Sequence, residues 1–419
     1  MISILKRRFG LPILLVVSTV VAVPCEAVTL DFTAEFSPDP SKPMRNEFTN
    51  TTIQSGYCAE DPRRCVSPPM VSFRLPIKFI SRTPIEPMHS ERQGPMFNLP
   101  SHWQTLNVVH EESGDSEEVQ VRVSGMGTTY YLPRDVRELV GLPPGSSHWT
   151  GHGLLWGSRW DQSAVPCVPL NYSGANGLLH GTFWRVPLNV GTCAKQAKYS
   201  IPTLELRYLD IGYELIAPKP LEMAAGVYQG SIKFPIGPGG IDVGDNMYPV
   251  NDNLIDLNFT LTVRHILAVD IPPGGNRIEL IPQGGWQSWL AQGRKPARLF
   301  RDQTFNIWAS SKFKMQMECQ YVSVNTCALY EPVSGKEVPL NISVSLPNGL
   351  MDSAGQPISR RPLLRDGSGT ELFQPGFYIN RRPGTLHFEI ARDQVEQMLS
   401  DGAAKQYSGN VTVIWDSEV

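Results

Sequence analysis

The sequence predicts an all-β chain: two immunoglobulin-like β-sandwich domains in tandem. Three observations carry this. Short segments of period-two hydrophobicity recur along the chain, the pattern of strands with one buried face. The 36 glycines and 36 prolines are spread widely, which disfavours long helices and suits many short strands. The stretch Tyr407 to Val419, reading YSGNVTVIWDSEV, alternates well and has an echo upstream. Ala403, Ala404, Tyr407, Gly409, Val411 and Val413 match Ala224, Ala225, Tyr228, Gly230, Ile232 and Phe234 at identical spacing. Chance between two ordinary strands would also give such a match. Two β domains, each with one copy of a related strand, is the working model.

Taken in order, residues 1–27 read as a secretory signal. Lys6, Arg7 and Arg8 form a charged start, and Leu11 to Val23 a short apolar core. Cys25-Glu26-Ala27 offers small residues where a signal peptidase cuts. The apolar run is short for a membrane span, and no later stretch qualifies. A lipid anchor on Cys25 fits poorly with Pro24 directly before it. Cleavage after Ala27 leaves six cysteines: Cys58, Cys65, Cys167, Cys193, Cys319 and Cys327. An even count suits an oxidising compartment. Counting leaves the connectivity open; sequence proximity favours Cys58–Cys65, Cys167–Cys193 and Cys319–Cys327. A metal site is disfavoured, because there is no C-x-x-C and no Cys/His pair at ligand spacing. The signal carries three basic residues and one acid, so its removal takes the formal charge from −3 to −5. That argues against a nucleic-acid partner.

The mature chain then reads as strands with loops between. Thr29 to Gln54 is polar, a mixture of strand and loop. Val71, Phe73, Leu75, Ile77 and Phe79 alternate with polar residues, and Pro76 marks an edge or a non-bonding position. Val119, Val121 and Val123 alternate next, and Pro133 to Leu142 fits one short helix. Gly141 to Cys193 reads as long loops, rich in glycine, with Trp149, Trp156, Trp160 and Trp184. Strands resume at Leu204 to Tyr208, Val227 to Ile236 and Asn258 to Val263. The domain boundary falls near Arg264 to Ile266, giving a first domain of residues 28–264 and a second of 265–419. The second holds strands at Ile266 to Ile271, Ile278 to Ile281, Thr304 to Trp308, Lys314 to Tyr321 and Leu340 to Leu346. Leu372 to Ile379, Leu386 to Ile390 and Tyr407 to Trp415 complete it, with a helical turn over Arg392 to Leu399. Short strands at this near-regular spacing suggest an immunoglobulin-like sandwich.

Little points to catalysis. There is no nucleophile elbow, phosphate-binding loop or H-E-x-x-H zinc motif. His148 and His152 have i, i+4 spacing, but Gly151, Gly153 and Pro144 argue against a helix, so ordinary loop histidines are expected. Glu111, Glu112, Asp115, Glu117 and Glu118 surround Ser113-Gly114 and read as a solvated hairpin tip, not a paired-carboxylate site. No cofactor is expected. The best candidate surface is the tryptophan-rich stretch: Trp149, Trp156, Trp160 and Trp184 with Arg159 and Arg185. Indole faces stack on sugar rings or bases; the same residues would also make a satellite core under the loops.

The signal, two β domains, the Ala-rich approach to a Tyr-x-Gly-x-Val strand and the chain end just beyond it resemble a known family. It is that of the minor tip subunits of alternate (class 5) chaperone–usher fimbriae: the CblD-like pilus initiators and colonisation-factor tip adhesins. Ala403-Ala404 and Gln406 to Val413 carry the likeness, with Lys314-Met315-Gln316-Met317-Glu318-Cys319 similar to the family's cysteine-bearing strand. In the first domain it rests on Cys167, Cys193 and Gly226 to Phe234.

The resemblance implies a non-enzymatic fimbrial tip subunit that initiates pilus assembly and mediates adhesion. It also implies that the second domain is an incomplete pilin fold lacking its final strand. A periplasmic chaperone, and then the major pilin subunit, would supply that strand by adding it to the sheet edge. Tyr407, Gly409, Val411, Val413 and Trp415 would border the groove, and the carboxylate of Val419 would anchor to the chaperone. The outer-membrane usher and a host glycan or protein receptor are the other implied partners, and the fimbrial tip at the cell surface the implied location. The family's receptor site is a basic patch. Here Ser231 to Gly240 has no arginine pair, and Arg63, Arg64, Arg74, Arg122, Arg159 and Arg185 do not map onto it. A structural tip or minor pilin without receptor binding is one alternative. A secreted β-sandwich carbohydrate-binding module or enzyme is another.

Overall fold

In the computed structural model the described residues are 27–170, 174–293, 295–400 and 406–417. The signal reading, apart from Ala27, and the Ala403-Ala404 and Val419 positions lie outside them. The chain is all-β. Its buried apolar side chains fall into two main cores, one from Phe32 to Val263 and one from Leu299 to Val395. A small third cluster surrounds the Cys58–Cys65 disulfide.

The first body is built on one large curled sheet, with a separate two-stranded pair of Met96–Phe97 and Cys193–Ala194. It contains β1 (Val28–Phe36), β2 (Val71–Leu75), β3 (Gln104–His110), β4 (Ser116–Tyr131), β5 (Leu179–Arg185), β6 (Leu209–Ile216), β7 (Gly226–Pro235) and β8 (Leu254–Val263). β4 is its spine: β3 and then β5 pair along one edge, β6 along the other. The alternation at Val119 to Val123 marks only the first part of β4. Beyond it, Gly125 and Gly127 interrupt the pattern because the Phe183 ring packs onto the strand. A Cβ would come within 2.7 Å of that ring at Gly125 and 2.5 Å at Gly127. These glycines serve close packing and not a turn.

Between β4 and β5 lie α1 (Val136–Leu139) and α2 (His148–Trp156). With β5 itself, α2 corrects the reading of residues 141–193 as irregular loops. Gly151, which argued against a helix, is where α2 meets α1: a Cβ there would stand 2.8 Å from Val136 Cγ1. Gly157, at φ 74°, ends the helix in the left-handed conformation.

The second body contains β9 (Leu267–Asp270), β10 (Leu299–Ala309), β11 (Lys314–Cys319), β12 (Thr326–Glu331), β13 (Lys336–Ser345), β14 (Ile379–Ile390) and β15 (Val411–Asp416). One sheet runs β9-β10-β14-β13-β12, and β11 pairs with β15 over the same core. Helices α3 (Gly285–Gln292) and α4 (Arg392–Ser400) are peripheral; Val395 of α4 is buried, with Met398 and Leu399 packed beside it. The three disulfides join the cysteines nearest in sequence, with Cα–Cα distances of 5.8, 5.9 and 5.3 Å.

Candidate functional site: the last strand and the tryptophan region

β15 begins at Val411, four residues later than the alternation from Tyr407 implies. Tyr407 to Asn410 instead crosses the hairpin closed by Cys319–Cys327. Ser408 exchanges two backbone bonds with Tyr330, at 2.9 and 3.0 Å, and the Gln320 N–H donates to the Asn410 carbonyl at 2.9 Å. From Val411 the chain pairs antiparallel with β11 in unbroken register, Cys319 opposite Val411 through Lys314 opposite Asp416. Lys314 Nζ lies 3.0 Å from Asp416 Oδ2. Trp415 leans on Phe305 and Phe313, with ring centroids 4.9 and 5.9 Å away.

The two edges of β15 differ. One is fully occupied by β11. Along the other, no strand pairs with it among the described residues. The side chains follow suit: Met315 and Met317 of β11 are buried, whereas Val411, Val413 and Trp415 of β15 are half-exposed. β9 is likewise the end strand of its sheet, and its Leu267 and Val269 are half-exposed at the rim of the same core.

β7, the echo of this strand, is enclosed on both sides. It pairs with β8 along all ten residues and with β3 at Tyr228 and Gln229. Tyr228 and Phe234 are accordingly buried. The shared glycine has one physical role in both copies, since each sits against a neighbouring carbonyl. A Cβ on Gly230 would be 2.4 Å from Asn107 O, and one on Gly409 3.0 Å from Ala328 O.

The tryptophans divide between core and surface. Trp156, Trp160 and Trp184 are buried, which corrects their assignment to a receptor surface. Trp160 is their hub, with ring centroids 5.2 Å from Trp156, 5.4 Å from Trp184 and 5.1 Å from Tyr130. Two indole N–H groups find partners inside: Trp184 donates to the Trp160 carbonyl at 2.7 Å and Trp156 to the Tyr130 hydroxyl at 3.1 Å. Only Trp149 stays half-exposed, with the Arg159 guanidinium 5.3 Å from its ring centre. Arg159 is held by both oxygens of Asp161, at 3.0 and 2.9 Å. Arg185 is mostly covered, donating to Pro68 O at 3.2 Å and lying 3.7 Å from Glu214; burial lowers its pKa.

The remaining arginines form no single basic patch. Arg63 and Arg64 lie against Asp61, Arg74 grips Asp210 through two bonds of 2.8 Å, and Arg122 donates twice to Glu214. Of the i, i+4 histidines of α2, His152 is committed. His152 bonds the Tyr130 hydroxyl at 2.7 Å and the Asn176 carbonyl at 2.8 Å. No cluster able to hold a metal occurs among the described residues.

One arrangement escaped the sequence reading. On the outer face of the second body, Ser345 Oγ lies 2.9 Å from His387 Nε2, and His387 Nδ1 lies 2.7 Å from Asp302 Oδ1. These are the contacts of a serine–histidine–aspartate triad. Hydrolysis also needs free donors where an oxyanion would form. The amide at hand, Arg360 N–H, is already bonded to Ser345 Oγ at 2.9 Å. The chain satisfies its three members across β13, β14 and β10, where His387 sits opposite both Ser343 and Asp302. Because its members lie on three strands far apart in sequence, spacing gave no sign of it.

No family model matches the chain, and no curated protein matches it. Among solved structures it is similar to a chain of the chaperone–tip adhesin complex of CFA/I fimbriae. That match is 11% identical and covers 94% of this chain and 97% of the other, with a TM-score of 0.23. A mutant of the CFA/I adhesin CfaE from enterotoxigenic E. coli gives 11% identity, 94% and 95% coverage and a TM-score of 0.23. A chain of the CsuC–CsuE chaperone–tip subunit complex, from the archaic Csu pili of Acinetobacter baumannii, gives 10% identity, 93% and 98% coverage and a TM-score of 0.21. Scores this low leave this chain's own geometry as the ground for function.

Proposed function

We propose that the second body accepts a β-strand from another protein along the outer edge of β15, and that the chain is a fimbrial tip subunit. The observation that carries this is the asymmetry of β15: one edge in full register with β11, the other without a paired strand among the described residues, and a row of half-exposed apolar side chains between. An open edge with an apolar flank is an aggregation hazard that a partner strand removes. Val411, Val413 and Trp415, with Leu267 and Val269 of β9, supply the apolar surface such a strand would cover. The likeness of Gln406 to Val413 and Lys314 to Cys319 to the tip-subunit family supports the same reading.

In this reading residues 28–264 form the adhesin domain and 265–419 the pilin domain. A periplasmic chaperone lends a strand first, the major pilin replaces it, and the subunit starts assembly at the outer-membrane usher. The chain is thereby carried through the periplasm to the cell surface. Receptor binding would fall to Trp149 and Arg159, the two members of the tryptophan region that reach solvent together. A second reading, a structural tip without a receptor, is favoured by the burial of Trp156, Trp160 and Trp184.

The test is production of the full chain alone, with its chaperone, or fused at its C-terminus to a pilin N-terminal peptide. The chain should aggregate alone and be a soluble monomer in the other two cases. A stable monomer without either partner would sink the strand-accepting reading. Glycan-array and host-cell binding by residues 28–264, with and without Trp149→Ala, separates adhesin from structural tip.

A further inference from the structure

His265 sits where the two cores meet. It follows β8 and precedes β9. Its Nε2 lies 3.0 Å from the Met223 carbonyl of the first body, and its Nδ1 lies 3.2 Å from Ser310 Oγ of the second. A carbonyl only accepts, so Nε2 carries the proton and donates. Nδ1 is then an acceptor, and the Ser310 hydroxyl donates to it. Ser310 Oγ in turn accepts the Ile266 N–H at 2.9 Å, while Ser310 N–H donates to the Ile266 carbonyl at 2.9 Å. The imidazole also packs against Phe36, with ring centroids 5.7 Å apart. One neutral ring thus links a carbonyl of the first body to a fully buried hydroxyl of the second.

We propose that His265 is a pH-sensitive latch between the two bodies, closed when the imidazole is neutral and released when it is protonated. A proton on Nδ1 turns the acceptor into a donor. The Ser310 O–H then loses its partner at a site with no exposure. The charged neighbours do not offset this. From the first body come Glu222, whose carboxylate holds Lys219 at 3.0 Å, and Arg264, held by Glu35 at 3.0 Å. From the second comes Lys312, a cation whose Nζ reaches the Glu222 carbonyl at 3.4 Å. Burial lowers the His265 pKa, with the Met223 carbonyl acting against it, so release falls on the acid side of the ordinary histidine range. Besides the Lys312 contact, two neutral ones bridge the bodies: Tyr378 N–H to Asn46 Oδ1 at 3.3 Å and Asn380 Nδ2 to the Pro40 carbonyl at 3.2 Å. They would tether the bodies loosely once the latch opens.

The test is a distance measurement between spin labels at two exposed positions, Ile53 in the first body and Val333 in the second, on the full chain from pH 8 to pH 5. The distribution should be narrow at neutral pH and broaden reversibly on acidification. His265→Gln, which keeps a donor and an acceptor but cannot charge, should stay narrow throughout; His265→Ala should be broad at every pH. His265→Asn serves if the glutamine variant folds poorly. Near-ultraviolet circular dichroism on the same samples reports the aromatic core of the first body. The proposal is overturned if the wild type does not broaden, if the glutamine or asparagine variant broadens alongside it, or if broadening coincides with loss of that core signal.

Discussion

Gly409 lies under the carbonyl of Ala328, and a Cβ on it would stand 3.0 Å from that oxygen. Gly230 lies under the carbonyl of Asn107 in the same way, at 2.4 Å. Backbone cannot rotate aside as a side chain can. Gly230→Ala should therefore cost the first body about 1–3 kcal/mol, the range for overpacking. Gly409→Ala should cost the second body less, because its contact is looser. Denaturant midpoints of the two variants check the order; a larger loss at Gly409 would refute it.

Val413 faces Met317 across the β11–β15 pair and is half-exposed. Val413→Asp would set a charge in the apolar row that a partner strand must cover, and a carboxylate cannot be desolvated there without a partner. The substitution should sharply reduce the amount of complex recovered with the chaperone. The Cys319–Cys327 disulfide should still form, since Val413 lies opposite Met317 and not opposite either cysteine. Undiminished recovery of the complex would place strand capture elsewhere.

Much of the fold was legible because its strands alternate. Of the strands with a clean period of two, Asn258 to Val263 lies within β8, and Leu340 to Leu346 matches the end of β13 to within one residue. What alternation missed has physical reasons. β4 runs on through Gly125 and Gly127 because an aromatic ring needs the room, and β6 reads as unpatterned because most of it is buried on both faces. α2 was hidden by a glycine that permits helix contact. The candidate edge was legible as a strand, but that one of its sides lies open is a property of pairing, which no single segment contains. The tryptophans misled for a related reason: clustering in sequence shows that aromatic residues gather, not whether they gather inside or outside.

Trp149 and Trp160 offer a direct contrast. Trp160 is fully buried at the centre of the aromatic cluster, so Trp160→Ala should destabilise the first body by about 3–5 kcal/mol. Trp149 sits at the surface under Arg159, so Trp149→Ala should cost at most about 1 kcal/mol, the scale of an exposed cation–π contact. If this surface is the receptor site, Trp149→Ala should abolish binding while leaving thermal unfolding nearly unchanged. Equal destabilisation by both substitutions would show Trp149 to be a core residue too.

His180 should make the first body acid-sensitive. It is fully buried, 5.2 Å from His152 and stacked on Tyr130 at 5.9 Å between ring centroids. Its Nδ1 donates to the Gly181 carbonyl at 2.8 Å. Burial, reinforced by repulsion from His152, pushes its pKa down to about 4, and Asp161, 4.0 Å from Nε2, only partly opposes this. In the unfolded chain the same group titrates near 6.5. Because the folded value is the lower one, the unfolded state takes up the proton first as pH falls. The contribution is intact above about pH 6.5 and is lost progressively towards pH 4. At 1.36 kcal/mol per pKa unit the loss amounts to about 3 kcal/mol. Carboxylates such as Asp135, held near pKa 2 by Arg137, lose their own contribution lower still, so the two effects separate along the pH axis. Urea midpoints at pH 7.5, 5.5 and 4.5 for the wild type and His180→Gln check this. The wild type should lose stability across that interval much faster than the variant, and parallel losses would mean that His180 does not titrate with unfolding.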